Sequence, residues 1–261
     1  MIVNRNDYRM VSENAGYGVG FQLLNTSSYD LPEVSLTLEL LRARGSDYGN
    51  GVVAIDCGAN IGVHTIEWAR CMAGWGRVYS FEPQERIYYA LAGNIALNNC
   101  FNVTARLAAV GSKCGTLGLP EVNYCVPSSF GSLELNPGDT SEYIGQNIDY
   151  DSASQQIELL TVDSLNLPRI DLIKIDVEGM ELEVLEGAQD SIARLKPQLL
   201  IEVIKSDEKA ITKLLNTAGY RTFLVGMNLL AIHASDTTLG RVKAGGAGVE
   251  PQQSANPLTR N

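Results

Sequence analysis

The apolar positions of this chain follow two periods that take turns. Short apolar runs bounded by turn residues read as strands at 52–56, 77–81, 102–107, 170–175, 198–203, 221–225 and 229–233. Between them, apolar residues recur at helical spacing over 62–73, 84–98, 179–193 and 207–218. Strand–helix alternation implies a parallel sheet with helices on both faces. The turn Gly226-Met227-Asn228 joins the last two strands as a hairpin, so one strand near the C-terminal end runs antiparallel. Ligands of such sheets bind outside the carboxyl ends of the strands, near the switch point.

Three stretches depart from the alternation. In 1–50, Leu31-Pro32 opens an amphipathic helix over 33–44, with Val34, Leu38 and Leu41 on one face, and 16–24 reads as a short hairpin. This N-terminal extension either caps the site or simply packs on the domain. Between 115 and 161 the pattern breaks again. The stretch 120–132 gathers Tyr124, Pro127, Ser128, Ser129, Phe130 and Gly131; Asn136-Pro137-Gly138-Asp139 is a strong turn, and Tyr150 follows. A long irregular segment just before a core strand reads as a substrate lid, the alternative being a hairpin that pads the sheet. From 240 onward, Gly245-Gly246-Ala247-Gly248 and Pro251-Gln252-Gln253-Ser254 lack large apolar residues and read as disordered. The division is therefore an extension 1–50, a main domain 51–233 carrying the 115–161 insertion, and a flexible tail 234–261.

The densest chemistry lies in Val52-Val53-Ala54-Ile55-Asp56-Cys57-Gly58-Ala59-Asn60-Ile61-Gly62-Val63-His64-Thr65. It reads as a buried strand, a glycine turn and a helix start. Gly58 removes the Cβ where the chain turns sharply and a ligand approaches the backbone. Gly62 lets the following helix pack close to the strand. The dinucleotide fingerprint needs G-x-G-x-x-G. Here the middle glycine is missing and Asn60 sits at the centre of Gly58-Ala59-Asn60-Ile61-Gly62. The Asp56 carboxylate faces this turn. It would repel a pyrophosphate and pair with a cationic amine, and S-adenosylmethionine carries an amino group and a sulfonium. The plainer alternative is an α/β turn that holds no ligand.

A second acid supports the ligand reading. Arg77-Val78-Tyr79-Ser80-Phe81-Glu82-Pro83 is a strand ending in Glu82, slightly beyond the roughly 20-residue separation of a ribose-binding carboxylate. Glu82 can accept from both ribose hydroxyls, and Pro83 stiffens the exit into the next helix. The competing role is a helix N-cap.

Asp56-Cys57-Gly58-Ala59-Asn60-Ile61-Gly62-Val63-His64-Thr65, Phe81-Glu82-Pro83, the pair Asn98-Asn99, and the segment from Asp171 through Lys174-Ile175-Asp176-Val177-Glu178-Gly179-Met180-Glu181 to Ala188 together resemble the FkbM family of methyltransferases. The resemblance covers 51–233. It implies the class I (Rossmann-like) α/β fold, S-adenosylmethionine as cofactor, methylation of a hydroxyl oxygen, and an active centre at the Asp176 strand end. The closing antiparallel strand suits this fold and not a plain dinucleotide-binding one. The expected cofactor residues are Asp56, Gly58, Ala59, Asn60, Gly62, Glu82 and Pro83. Family members often carry an acid after the third strand for the adenine amino group; here Ser112 stands in its place. Asp163 also matches a family position, with a helix cap as its expected role.

Methyl transfer to oxygen is an in-line displacement on an already activated sulfonium, so the enzyme mainly positions the groups. A base adds perhaps 10²–10⁴-fold. Lys174 and Asp176 share one side of their strand. Asp176 and Glu178 are candidate bases, Glu202 on the neighbouring strand can converge on them, and Lys174 can steady the carboxylates or a developing alkoxide. Acids such as Glu178 and Glu181 also favour a helix N-terminus for electrostatic reasons, the preferred role for Glu181. His64 reads as a helix-start residue behind the site. The three nearby acids can instead hold a divalent ion such as magnesium, though the assignment without metal is preferred.

Composition narrows the partners. The 261 residues suit one large α/β domain, and 45% apolar content is ample for a core. A net charge of −10 without a Lys/Arg cluster argues against nucleic acid. No apolar run is long enough to span a membrane and the N-terminus lacks signal-peptide order. Five cysteines without a CxxC pair suggest a reduced, cytoplasmic enzyme. The aromatic, polar, neutral lid suits a small-molecule or carbohydrate acceptor. The rivals are a nicotinamide-dependent oxidoreductase, which needs the missing glycine, and a non-catalytic module retaining the fold.

Overall fold

A computed structural model describes residues 1–13, 15–135, 141–151 and 153–241. The Asn136–Asp139 turn and nearly all of the tail read as disordered lie outside the described residues.

The order is β1 (Arg9–Met10), β2 (Gly16–Tyr17), α1 (Val19–Thr26), α2 (Leu31–Tyr48), β3 (Val52–Cys57), α3 (Val63–Cys71), β4 (Gly76–Glu82), α4 (Glu85–Leu97), β5 (Val103–Val110), β6 (Gly115–Pro120), β7 (Ala153–Leu160), β8 (Leu172–Ile175), α5 (Glu181–Glu186), α6 (Gln189–Leu195), β9 (Gln198–Glu202), α7 (Glu208–Thr217), β10 (Tyr220–Val225) and β11 (Asn228–His233). Nine strands form one sheet in the order β10-β11-β9-β8-β3-β4-β5-β7-β6. Neighbours from β9 through β7 are parallel, and β11 runs antiparallel to both β9 and β10. This is the mostly parallel sheet with an antiparallel strand near the C-terminal end that the alternation implies.

Four readings need correction. The expected hairpin at 16–24 is instead β2, paired antiparallel with β1, followed by α1. Helical spacing at Val19, Leu23 and their neighbours outcompetes alternation there. The single helix expected over 179–193 is two, because Glu178 and Gly179 adopt positive φ and delay the start. Gly187 then ends α5 where a Cβ would lie 2.1 Å from the Gly111 carbonyl oxygen. The irregular stretch 115–161 includes two strands: β7 extends the sheet parallel to β5, and β6 adds a second antiparallel edge. Finally, α2 runs on to Tyr48 and buries Leu36, Leu40 and Leu41 beside Val34.

Strand periodicity sorts the sheet's side chains into two layers. Ile55, Ile173, Ile175 and Ile201 pack with Val184, Leu185, Ile211 and Leu215 on one face. Val52, Ala54, Val78, Leu172 and Leu200 pack with Leu40, Ile66, Trp68 and Met72 on the other. The second face matters most. Continuing its period of two along each strand gives Val52-Ala54-Asp56, Val78-Ser80-Glu82, Leu172-Lys174-Asp176 and Leu200-Glu202. Parallel register aligns Asp56 with both Ser80 and Lys174, and Lys174 with Leu200. One face is therefore apolar along its length and turns charged at the carboxyl ends.

Candidate active site

A cavity of about 430 Å³ opens at those carboxyl ends, within the range of small-molecule sites. Asp56, Gly58, Ala59, Asn60, Glu82, Pro83, Lys174, Asp176, Glu178 and Glu202 all line it. Gly62 and Ser112 do not. Gly62 starts α3 at φ 93°, and a Cβ there would meet the Leu91 side chain of α4 at 2.6 Å; its close partner is a helix, not the strand. Ser112 is exposed, because the chain turns away after Gly111 toward β6. Ala108, Ala109 and Val110 line the cavity instead.

The turn side is held by backbone hydrogen bonds. Gly58 and Ala59 N–H both donate to the Phe81 carbonyl, at 3.0 and 2.9 Å. Gly58 sits at φ 79°, and a Cβ there would lie 1.7 Å from the Asp176 carbonyl oxygen, so this glycine lets β3 and the end of β8 touch. Asn60 N–H donates to Glu82 Oε2 and Gln84 N–H to Oε1, each at 2.9 Å. Glu82 thus fixes the turn, and each of its oxygens retains a second lone pair. Burial, aided by the nearby Asp176 and Asp56 charges, pushes Glu82 up to about 8 despite those two donors. Asp56 Oδ2 accepts from Thr65 Oγ1 at 2.6 Å. Its Oδ1 is buried with no hydrogen-bond partner among the described residues. A buried carboxylate oxygen without a donor is costly and marks a place for one.

The acid side is held by ion pairs. Lys174 is buried, 2.7 Å from Asp176 Oδ2, and Asp176, Asp56 and Glu33 together raise its pKa against the effect of burial. Lys205 Nζ lies 2.7 Å from Glu178, 3.1 Å from Glu142 and 3.7 Å from Glu134, and donates to the Ser132 carbonyl. Glu202 has no ion pair among the described residues. Burial, then the charges of Asp176 and Glu178, push it up to about 9; burial and Asp176 push Glu178 up to about 8. Carboxylate oxygens of Asp176, Glu178 and Glu202 lie within 4.8 Å of one another, close enough to converge on a cation.

Three residues kept apart from the acid centre in the sequence reading, Glu181, Asp163 and His64, have partners of their own. Glu181 accepts from Val177 and Gly179 N–H and from Ser206, tying down the loop that carries Glu178. Asp163 accepts from Asp190 and Ser191 N–H at the start of α6. His64 Nε2 lies 3.2 Å from Glu33. Burial opposes it, yet His64, Lys174 and Asn228 hold Glu33 down to about 2.

The walls come from the two segments offered in the sequence reading as a candidate cap and a substrate lid, though most of their lining residues are not named there. Tyr17, Phe21, Gln22, Asn25 and Tyr29 from the N-terminal segment line the cavity. Burial, then Asp176 and Asp30, drive the Tyr29 hydroxyl far up in pKa. From the insertion come Ser129, Ser132 and Leu133. The two segments are stitched together: buried Asp7 accepts from Gly20 and Phe130 N–H, Ser128 N–H donates to the Asn6 carbonyl, and Val19 packs with Phe130 and Ile61. The only signal of this partnership was the aromatic content of both segments.

A family model described as the methyltransferase FkbM domain matches residues 56–222. Among curated proteins, the chain is 29% identical over 168 residues to methyltransferase sdnD of Sordaria araneosa, covering 57% of this chain and 64% of that protein. It is 23% identical over 226 residues to the hexuronic acid methyltransferase AglP of Haloferax volcanii, covering 84% of each. Among solved structures, the FkbM methyltransferase of Methylobacillus flagellatus KT aligns at TM-score 0.49 and 17% identity, covering 82% of this chain and 58% of that one.

Proposed function

This chain belongs to the FkbM methyltransferase family, and from that premise we propose that it methylates a hydroxyl oxygen of a small molecule or carbohydrate with S-adenosylmethionine. The observation that carries the cofactor reading is the buried, unpartnered Asp56 Oδ1 beside the Gly58 turn. It fits an ammonium donor, and the acids around it disfavour a pyrophosphate. Glu82, with a free lone pair on each oxygen, suits the two ribose hydroxyls. Ala108 and Val110 offer apolar surface to a flat base, the part expected of Ser112. When bound, the cofactor supplies a methyl group on a sulfonium.

The chain's own groups then position the acceptor and manage its proton. Asp176, anchored by Lys174, takes the hydroxyl proton. Glu202, protonated at neutral pH, donates a hydrogen bond to the acceptor. Glu178, fixed by Lys205, borders the same space. The extension 1–50 and the 115–161 insertion act as one cover over acceptor and cofactor. The carbohydrate assignment draws on the polar, aromatic walls, and on AglP, named for hexuronic acid, for the sugar class alone and not for its acid group. The test is transfer of labelled methyl from S-adenosylmethionine into a cell extract, with mass analysis of the product. Label in an O-methyl group supports the reading, and label in N-methyl groups alone rejects it.

The 4.8 Å grouping of Asp176, Glu178 and Glu202 favours a second reading, in which they hold a divalent cation that binds the acceptor hydroxyl. Activity abolished by EDTA and restored by magnesium would select it; indifference to EDTA would remove it.

A further inference from the structure

Resting on the methyl-transfer reading, we infer that the part of the acceptor entering this cavity carries no negative charge, which excludes uronates, sialic acids and phosphorylated sugars as the methylated unit. Six carboxyl groups line the cavity, those of Asp30, Asp56, Glu82, Asp176, Glu178 and Glu202, against the single ammonium of Lys174. Asp56 and Glu82 are the pair assigned to the cofactor. The other four acids remain for the acceptor.

No cation among the described residues is left to receive an anion there. Lys174 is already surrounded by Asp176, Asp56 and Glu33. Lys205 stands behind Glu178 and is shared with Glu142 and Glu134. Arg9 pairs with Glu142 and donates to Tyr17. Releasing either lysine to an incoming carboxylate would strand buried acids without their partners, which costs more than one new pair returns. Like charges brought together at a binding surface cost several kcal/mol and act as a filter against wrong partners.

The remaining wall is what an uncharged polyhydroxylated ring needs. Tyr17, Phe21 and Met227 offer apolar faces to C–H edges, while Gln22, Asn25 and Ser132 offer neutral hydrogen-bonding groups.

The experiment labels a cell extract with methyl-labelled S-adenosylmethionine and the full chain, then hydrolyses the product in mild acid. The released methylated units are passed over an anion exchanger at neutral pH and weighed by mass spectrometry, a labelled methyl ester of an acid being counted as an anionic unit. Hydrolysis matters because a phosphate carried elsewhere on the acceptor says nothing about the unit in the cavity. Uncharged or basic labelled units should exceed anionic ones by at least about ten-fold. Labelled units that are retained and contain a carboxyl or phosphate group would overturn the charge inference while leaving methyl transfer intact. No label in any fraction would remove the methyl-transfer reading, and this inference with it.

Discussion

The two ends of the cavity are built on opposite principles. At the turn end, Gly58, Asn60 and Glu82 are fixed by backbone hydrogen bonds between neighbouring strands β3 and β4. At the acid end, Asp176 and Glu178 are fixed by side-chain ion pairs, the first with Lys174 two residues back on its own strand, the second with Lys205 from beyond β9. Backbone hydrogen bonds give a shape that ligand charge alters little. Buried acids, among them Glu178 and Glu202 with raised pKa values, give a field that changes with pH and occupancy. The first end suits an invariant cofactor and the second a particular acceptor.

The largest effect expected at the turn end is on stability. Gly58→Ala forces a Cβ into the Asp176 carbonyl and a disfavoured φ, and should cost upwards of about 3 kcal/mol by chemical denaturation. A variant within about 0.5 kcal/mol of wild type would mean that β3 and β8 can separate without harm.

At the acid end the same size of effect should fall on turnover instead. Asp176→Asn keeps the shape and leaves Lys174 with Asp56 and Glu33, so the fold and cofactor affinity should persist. Turnover should drop by roughly 10²-fold or more. Full activity in this variant would move the proton acceptor to Glu178 or to solvent.

Glu82→Ala should weaken S-adenosylmethionine binding by about 1.5–3 kcal/mol in a folded protein, measured by calorimetry. Unchanged affinity would confine Glu82 to its turn-fixing role.

The smallest effect concerns protons. Glu82 is raised to about 8 in the empty site, so it is protonated at pH 7. A bound cation and two hydroxyl donors favour its carboxylate, so cofactor binding should release a proton below pH 8 and tighten as pH rises toward 8. Calorimetry in buffers of different ionisation enthalpy reads this directly, and zero proton release at pH 7 would contradict it. For stability the sign is opposite. Glu82, Glu178 and Glu202 all have folded pKa values above the unfolded one of 4.5. They bind more protons folded than unfolded, so their contribution to the empty protein's stability falls as pH rises from about 4.5 toward 9.

The same contrast explains what the sequence made legible. Asp56 and Glu82 could be placed because each ends a strand of clear periodicity, and strand parity alone puts them on one face with Lys174, Asp176 and Glu202. Lys205, Glu33 and Tyr29 were invisible, since their roles depend on contacts between segments far apart in the chain. Strands β6 and β7 were hidden for a related reason: each pairs with the other across a long insertion, and neither is flanked by a helix. Ser112 was placed by analogy with a family position, and the chain turns outward just before it.

The central claim is that the turn end holds S-adenosylmethionine, and thermal denaturation with its product tests it most directly. S-adenosylhomocysteine at 100 times its dissociation constant should stabilise the chain by about 2.7 kcal/mol, and NAD at the same concentration should do nothing. Stabilisation by NAD with none from S-adenosylhomocysteine would contradict the account and return the cavity to the dinucleotide reading.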